Sequence, residues 1–62
     1  MNDQEVVLIH NFSLEYVLTN METLIGSRRN GRVVKRIDSF QIIEDKDVVG
    51  MWVAVVVVRF FD

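Results

Sequence analysis

Apolar positions change their spacing along this chain, and each change marks an element. Residues 5–10, Glu-Val-Val-Leu-Ile-His, form a short run rich in β-branched side chains and predict a first strand. From Leu14 the period lengthens. Leu14, Val17, Leu18, Met21, Leu24 and Ile25 fall on one stripe, with Glu15, Thr19, Glu22 and Thr23 elsewhere on the wheel. That pattern predicts an amphipathic helix. Asn11 and Ser13 are candidate N-caps, Glu15 suits the positive end of the helix dipole, and Gly26 is a natural stop. Residues 26–35 read as a polar connection with a turn at Asn30-Gly31. A second strand follows over residues 36–44, where Phe40 and Ile42 alternate with Gln41 and Ile43. A charged turn, Glu44-Asp45-Lys46-Asp47, leads through Gly50 to a third strand over residues 51–61. The short connection between these last two predicts an antiparallel hairpin.

The third strand is apolar at every position but Arg59. Strand alternation sends Met51, Val53, Val55 and Val57 one way and Trp52, Ala54, Val56, Val58 and Phe60 the other. A strand apolar on both faces needs cover on both. The helix stripe can cover one face of the sheet, and the chain has too little material left for the other. The expected fold is therefore α+β: one β-α-β-β domain over residues 1–62, a three-stranded antiparallel sheet packed on one helix, completed by obligate homo-oligomerisation.

Composition narrows this further. At 62 residues the chain is near the lower limit for folding alone, where only about 60% of the unfolded chain's surface is buried. Cysteine is absent, so neither a disulfide nor a thiolate metal site exists, and the single histidine, His10, argues against a histidine metal site within one chain. Assembly is the remaining device. Hydrophobic content of 50%, with no proline and three glycines, describes a chain made almost wholly of elements. The N-terminus lacks a signal-peptide pattern, and the valine run is about half the length of a membrane-spanning helix. A cytoplasmic protein with no membrane partner is expected. The net charge of −2 gives no global pull toward nucleic acid.

One local charge cluster stands against that acidic balance: Arg28, Arg29, Arg32, Lys35 and Arg36. Repeated in an oligomer, it would build positive patches for a nucleotide phosphate or a nucleic-acid backbone, which arginine's planar fork suits. The alternative is a solvated linker. Trp52 serves either as packing or as a stacking surface for a planar ligand. Arg59, inside an apolar strand, is expected to pair across an interface with Glu5, Glu44 or Asp62; the alternatives are a head that reaches water at the sheet edge, or a ligand phosphate. With Trp52, Val53, Val55, Val57 and Phe61, Arg59 makes up the expected interface. No nucleophile–histidine pair or paired carboxylates suggest catalysis, and Glu44, Asp45 and Asp47 lack calcium-loop spacing.

Two stretches carry a family resemblance. Ser39-Phe40-Gln41-Ile42-Ile43-Glu44-Asp45-Lys46 is similar to the second strand of the dodecins, and Trp52-Val53-Ala54-Val55-Val56-Val57-Val58-Arg59-Phe60 to their long third strand. Dodecins are small flavin-binding proteins of β-α-β-β order that assemble as hollow dodecamers. The resemblance implies a similar assembly and a flavin ligand. The chain departs from the pattern where a flavin-stacking tryptophan is replaced by Ser39 and a glutamine by Val53, and its hairpin loop is shorter. A second family of small sporulation proteins shares the strand order.

The function expected from these features is a non-catalytic homo-oligomer that binds or sequesters a small anionic or aromatic ligand, flavin- or nucleotide-like, at subunit interfaces. The alternatives are a nucleic-acid-binding module using residues 28–36, or an interaction protein docking through its C-terminal strand.

Overall fold

The computed structural model describes residues 3–61. The elements are β1 (Gln4–Asn11), α1 (Leu14–Thr23), β2 (Arg28–Arg29), β3 (Arg32–Glu44) and β4 (Trp52–Phe60). The sheet has four strands in the order β1-β4-β3-β2, every neighbouring pair antiparallel. The expected three-stranded sheet is thus corrected to a mostly β fold with a four-stranded sheet and one short helix. The extra strand comes from the segment read as a connection. Asn30 (φ 54) and Gly31 (φ 78) both occupy the left-handed region and fold Arg28–Arg29 back onto Arg32 and Val33. Strand β3 accordingly begins at Arg32, four residues before its expected start at Arg36.

The helix starts where its caps allow. Asn11 Oδ1 accepts from the Ser13 N–H at 2.8 Å, and Ser13 Oγ accepts from the Tyr16 N–H at 3.2 Å. Side-chain oxygens thereby satisfy free donors at the helix entrance. Its far end is fastened to the sheet: the Gly26 N–H donates to the Val34 carbonyl and the Val34 N–H to the Ser27 carbonyl, each at 2.9 Å. Gly26 (φ +84) makes the reversal that permits this.

One core lies between α1 and the sheet. Val17, Met21 and Leu24 of the helical segment meet Val7, Val34, Ala54, Val56, Val58 and Phe60. The predicted stripe is only partly used, because Leu14, Leu18 and Ile25 remain exposed on its flank. A ten-residue helix spans about 15 Å, shorter than the strands beneath it. Phe40, which pairs with Val56 beyond the helix, is consequently exposed.

The chain is extended for its size. Its radius of gyration is 12.2 Å, against about 10.6 Å for a compact domain of this length. It exposes 4511 Å², against about 4,100 Å² for a typical monomer of its mass. No helix among the described residues is long and apolar enough to cross a membrane.

Candidate functional site: the open sheet face and its charged end

The register fixes which residues share the face opposite the helix. Val57 lies between Val6 and Ser39, Val55 between Leu8 and Gln41, and Val53 between His10 and Ile43. Directly opposed residues point the same way, so these rows form one surface. Its centre is apolar. Val53, Val55 and Val57 are half-buried only by their neighbours in the sheet, while Val6 and Leu8 are 60% and 57% exposed. The helix-side positions of the same strand, Ala54, Val56 and Val58, are fully buried.

A polar cluster closes one end of this face. Asp38 Oδ1 accepts from Arg36 Nε at 2.8 Å, and Asp38 Oδ2 accepts from Arg59 Nε and Gln4 Nε2, each at 2.7 Å. Strand geometry explains the convergence. Arg36 pairs directly with Arg59, and two like charges there would repel. The register slips between Ile37 and Ser39, and the extra residue, Asp38, is turned between the two guanidiniums. The hydrogen bond from Gln4, then those from Arg36 and Arg59 with the Arg59 charge, lower the Asp38 pKa to about 2 against a partial opposing effect of burial. Arg59 therefore finds its carboxylate within the chain. The expected partners Glu5 and Glu44 are not used for it, and Asp62 lies outside the described residues. Asp38 escaped the sequence reading, because only the bulge aims it at Arg59.

The basic cluster is dispersed by the hairpin that contains it. Arg29 pairs with Glu5, and Arg32 with Asp3 at 3.5 Å while lying 4.5 Å from the centre of the Phe60 ring. Lys35 lies 5.9 Å from the centre of the Phe61 ring, Arg36 joins Asp38, and Arg28 is exposed. Three arginines thus already have carboxylates, which weakens a continuous positive field.

Beside this hairpin is a concavity of about 640 Å³, whose lining includes Glu5, Val6, Arg29, Arg32, Val57 and Phe60. Its volume lies in the range of small-ligand sites. Trp52 takes no part. It packs on the helix side at the opposite end of β4, about 26 Å away by strand rise. Within one chain, Trp52 is not brought together with the basic residues. Nor is Trp52 on the face of Val53, Val55 and Val57, although Phe61 is exposed beyond the strand's end. No cluster of three or more metal-ligating side chains exists among the described residues. No protein-family model, curated protein or solved structure matches the chain.

Proposed function

We propose that this chain is the subunit of a non-catalytic homo-oligomer that holds a small planar or anionic ligand beside its subunit interface. The open apolar face of β1, β4 and β3 carries this reading. Its valine centre is bounded by the Asp38 cluster at one end and His10 at the other, an arrangement of apolar core and polar rim. The excess exposed surface of the single chain supports the same conclusion. Each buried Val or Leu side chain contributes about 1.5–3 kcal/mol, a large fraction of the net stability of about 5 kcal/mol typical of a domain this small. A second copy is the occupant favoured, because the face is nearly neutral and charge-paired within itself.

Val6 and Val57 belong both to this face and to the concavity. A copy seated on the face would therefore adjoin the ligand space. Arg29 and Arg32 offer planar cations there, which suits a flavin or nucleotide.

Light scattering on the size-exclusion peak, with its absorbance spectrum, tests both parts. The expected result is a mass several times the 7.2 kDa of the chain, reduced by Val55→Asp. Flavin mononucleotide and adenosine monophosphate at ~100 times their Kd would raise the melting temperature, a linkage of about 2.7 kcal/mol. A 7.2 kDa wild-type species would overturn the assembly, and no thermal shift with either ligand would remove the ligand.

A further inference from the structure

The two long edges of the sheet are built differently. The outer edge of β3 carries register slips at Val34/Arg36 and Ile37/Ser39, is flanked by β2 at its start, and bears Lys35, Arg36, Asp38 and Glu44. Bulges and charges of this kind keep an edge from pairing. The outer edge of β1 has no bulge, and its one charged side chain, Glu5, is already paired with Arg29 of the same chain. All eight residues from Gln4 to Asn11 pair with β4 in unbroken register, and the strand holds no proline, lysine or bulge.

The ladder also shows which β1 groups are free. Phe60 N–H donates to the Asp3 carbonyl at 2.9 Å, and this pair extends the register Gln4↔Arg59 by one step. Antiparallel ladders bond at alternate residues. Glu5, Val7, Ile9 and Asn11 therefore bond to β4, whereas Gln4, Val6, Leu8 and His10 aim their N–H and C=O groups outward. No backbone group of another element reaches them among the described residues.

We propose that β1 is the edge through which two copies of this chain join, antiparallel, about a two-fold axis at Val7; this rests on the homo-oligomer reading and says how the copies meet. The four outward residues read polar, apolar, apolar, polar in either direction. Under that axis Gln4 opposes His10 of the second copy, and Val6 opposes its Leu8. Like meets like at these four outward positions, whereas on the helix side Glu5 opposes Ile9, and a two-fold axis normal to the sheet keeps both helices on one side. The two open faces then become one, with the exposed Val6 and Leu8 of both copies at its centre. A second copy fits this edge better than an unrelated strand because the match is internal to the sequence of β1.

The test uses the full chain and mass by light scattering. His10→Pro removes one outward donor and no bond to β4, and its apolar face is unaltered. His10→Ser keeps the donor and removes the imidazole. The expected result is that His10→Pro halves the assembly mass, that His10→Ser, which keeps the outward donor and alters only the rim, lowers it less, and that His10→Pro combined with Val55→Asp gives the 7.2 kDa monomer. Equal masses for wild type and His10→Pro would overturn edge pairing, while a mass lowered by Val55→Asp alone would leave face packing standing. Conversely, a dimer insensitive to Val55→Asp but split by His10→Pro would overturn face packing and keep the edge. Equal loss in His10→Ser would also overturn it. Should His10→Pro not fold, amide exchange on the wild type decides. Val6, Leu8 and His10 amides are expected to exchange at least about tenfold slower than that of the exposed Val49, and rapid exchange at all three overturns the pairing.

Discussion

The two faces of β4 are made from nearly the same residues and live in different surroundings. Ala54, Val56 and Val58 lie beneath α1 with no exposure, while Val53, Val55 and Val57 form the floor of an open surface. Composition does not separate them. The helix does, and it does so through alternation alone, since each step along the strand reverses the side. The lesson is that an apolar side chain reports a need for cover without reporting its source. On one face the source is the chain itself; on the other, no described part of the chain supplies it.

The sharpest way to break this comparison is to place the same charge on each side. Val56→Asp buries an unpaired carboxylate and is expected to abolish folding, since its cost exceeds about 5 kcal/mol of net stability. Val55→Asp is expected to keep the strand signature in circular dichroism and to lower the assembly mass. If both variants unfold alike in dilute solution, the open face contributes to the single chain's own core and the distinction fails.

A smaller effect is expected at the hairpin that completes the covered side. Gly31→Ala forces a side chain into a left-handed position, and urea denaturation should register a loss of about 1–2 kcal/mol. The space around Gly31 is open, so strain and not collision is the cause. Assembly mass at low urea should stay unchanged, because the hairpin does not belong to the open face.

The finest distinction lies at the charged end of the open face. The Asp38 pKa falls from 3.8 to about 2 on folding. The folded state therefore binds fewer protons between those values, and the stabilisation is complete above 3.8 and is lost as the pH falls through about 2. Asp38→Asn lacks this dependence. Melting temperatures at pH 5 and pH 2 should fall further for wild type than for the variant, and parallel losses would show that Asp38 is not held by Gln4, Arg36 and Arg59.

The sequence made the helix, its Ser13 cap and the two faces of β4 legible because each rests on a short, regular period. The start of β3 was hidden for a physical reason. Val34, Ile37, Phe40 and Ile42 all pair toward the helix side, yet they are spaced by three, three and two residues. Bulges reset the phase of alternation, so no two-residue period runs through the strand. Strand β2 is only Arg28–Arg29 and leaves no pattern at all. At the candidate site, Val53, Val55 and Val57 were readable as a surface, whereas the dispersal of the basic cluster was not. Linear proximity placed five cations together, and the hairpin sent Arg29 to Glu5, Arg32 to Asp3 and Arg36 to Asp38.

The strand order β1-β4-β3-β2 also constrains the moment of birth. The strand on which both long neighbours zip is the last of the four to be synthesised, so until then β1 has no partner strand and β3 has only the two-residue β2. Val6, Leu8 and Phe40 must stay unclaimed until translation has passed Phe60. Closure of the sheet therefore waits for β4 and is governed by long-range pairing, and the segments made before it stay open to chaperones or to neighbouring nascent copies until then.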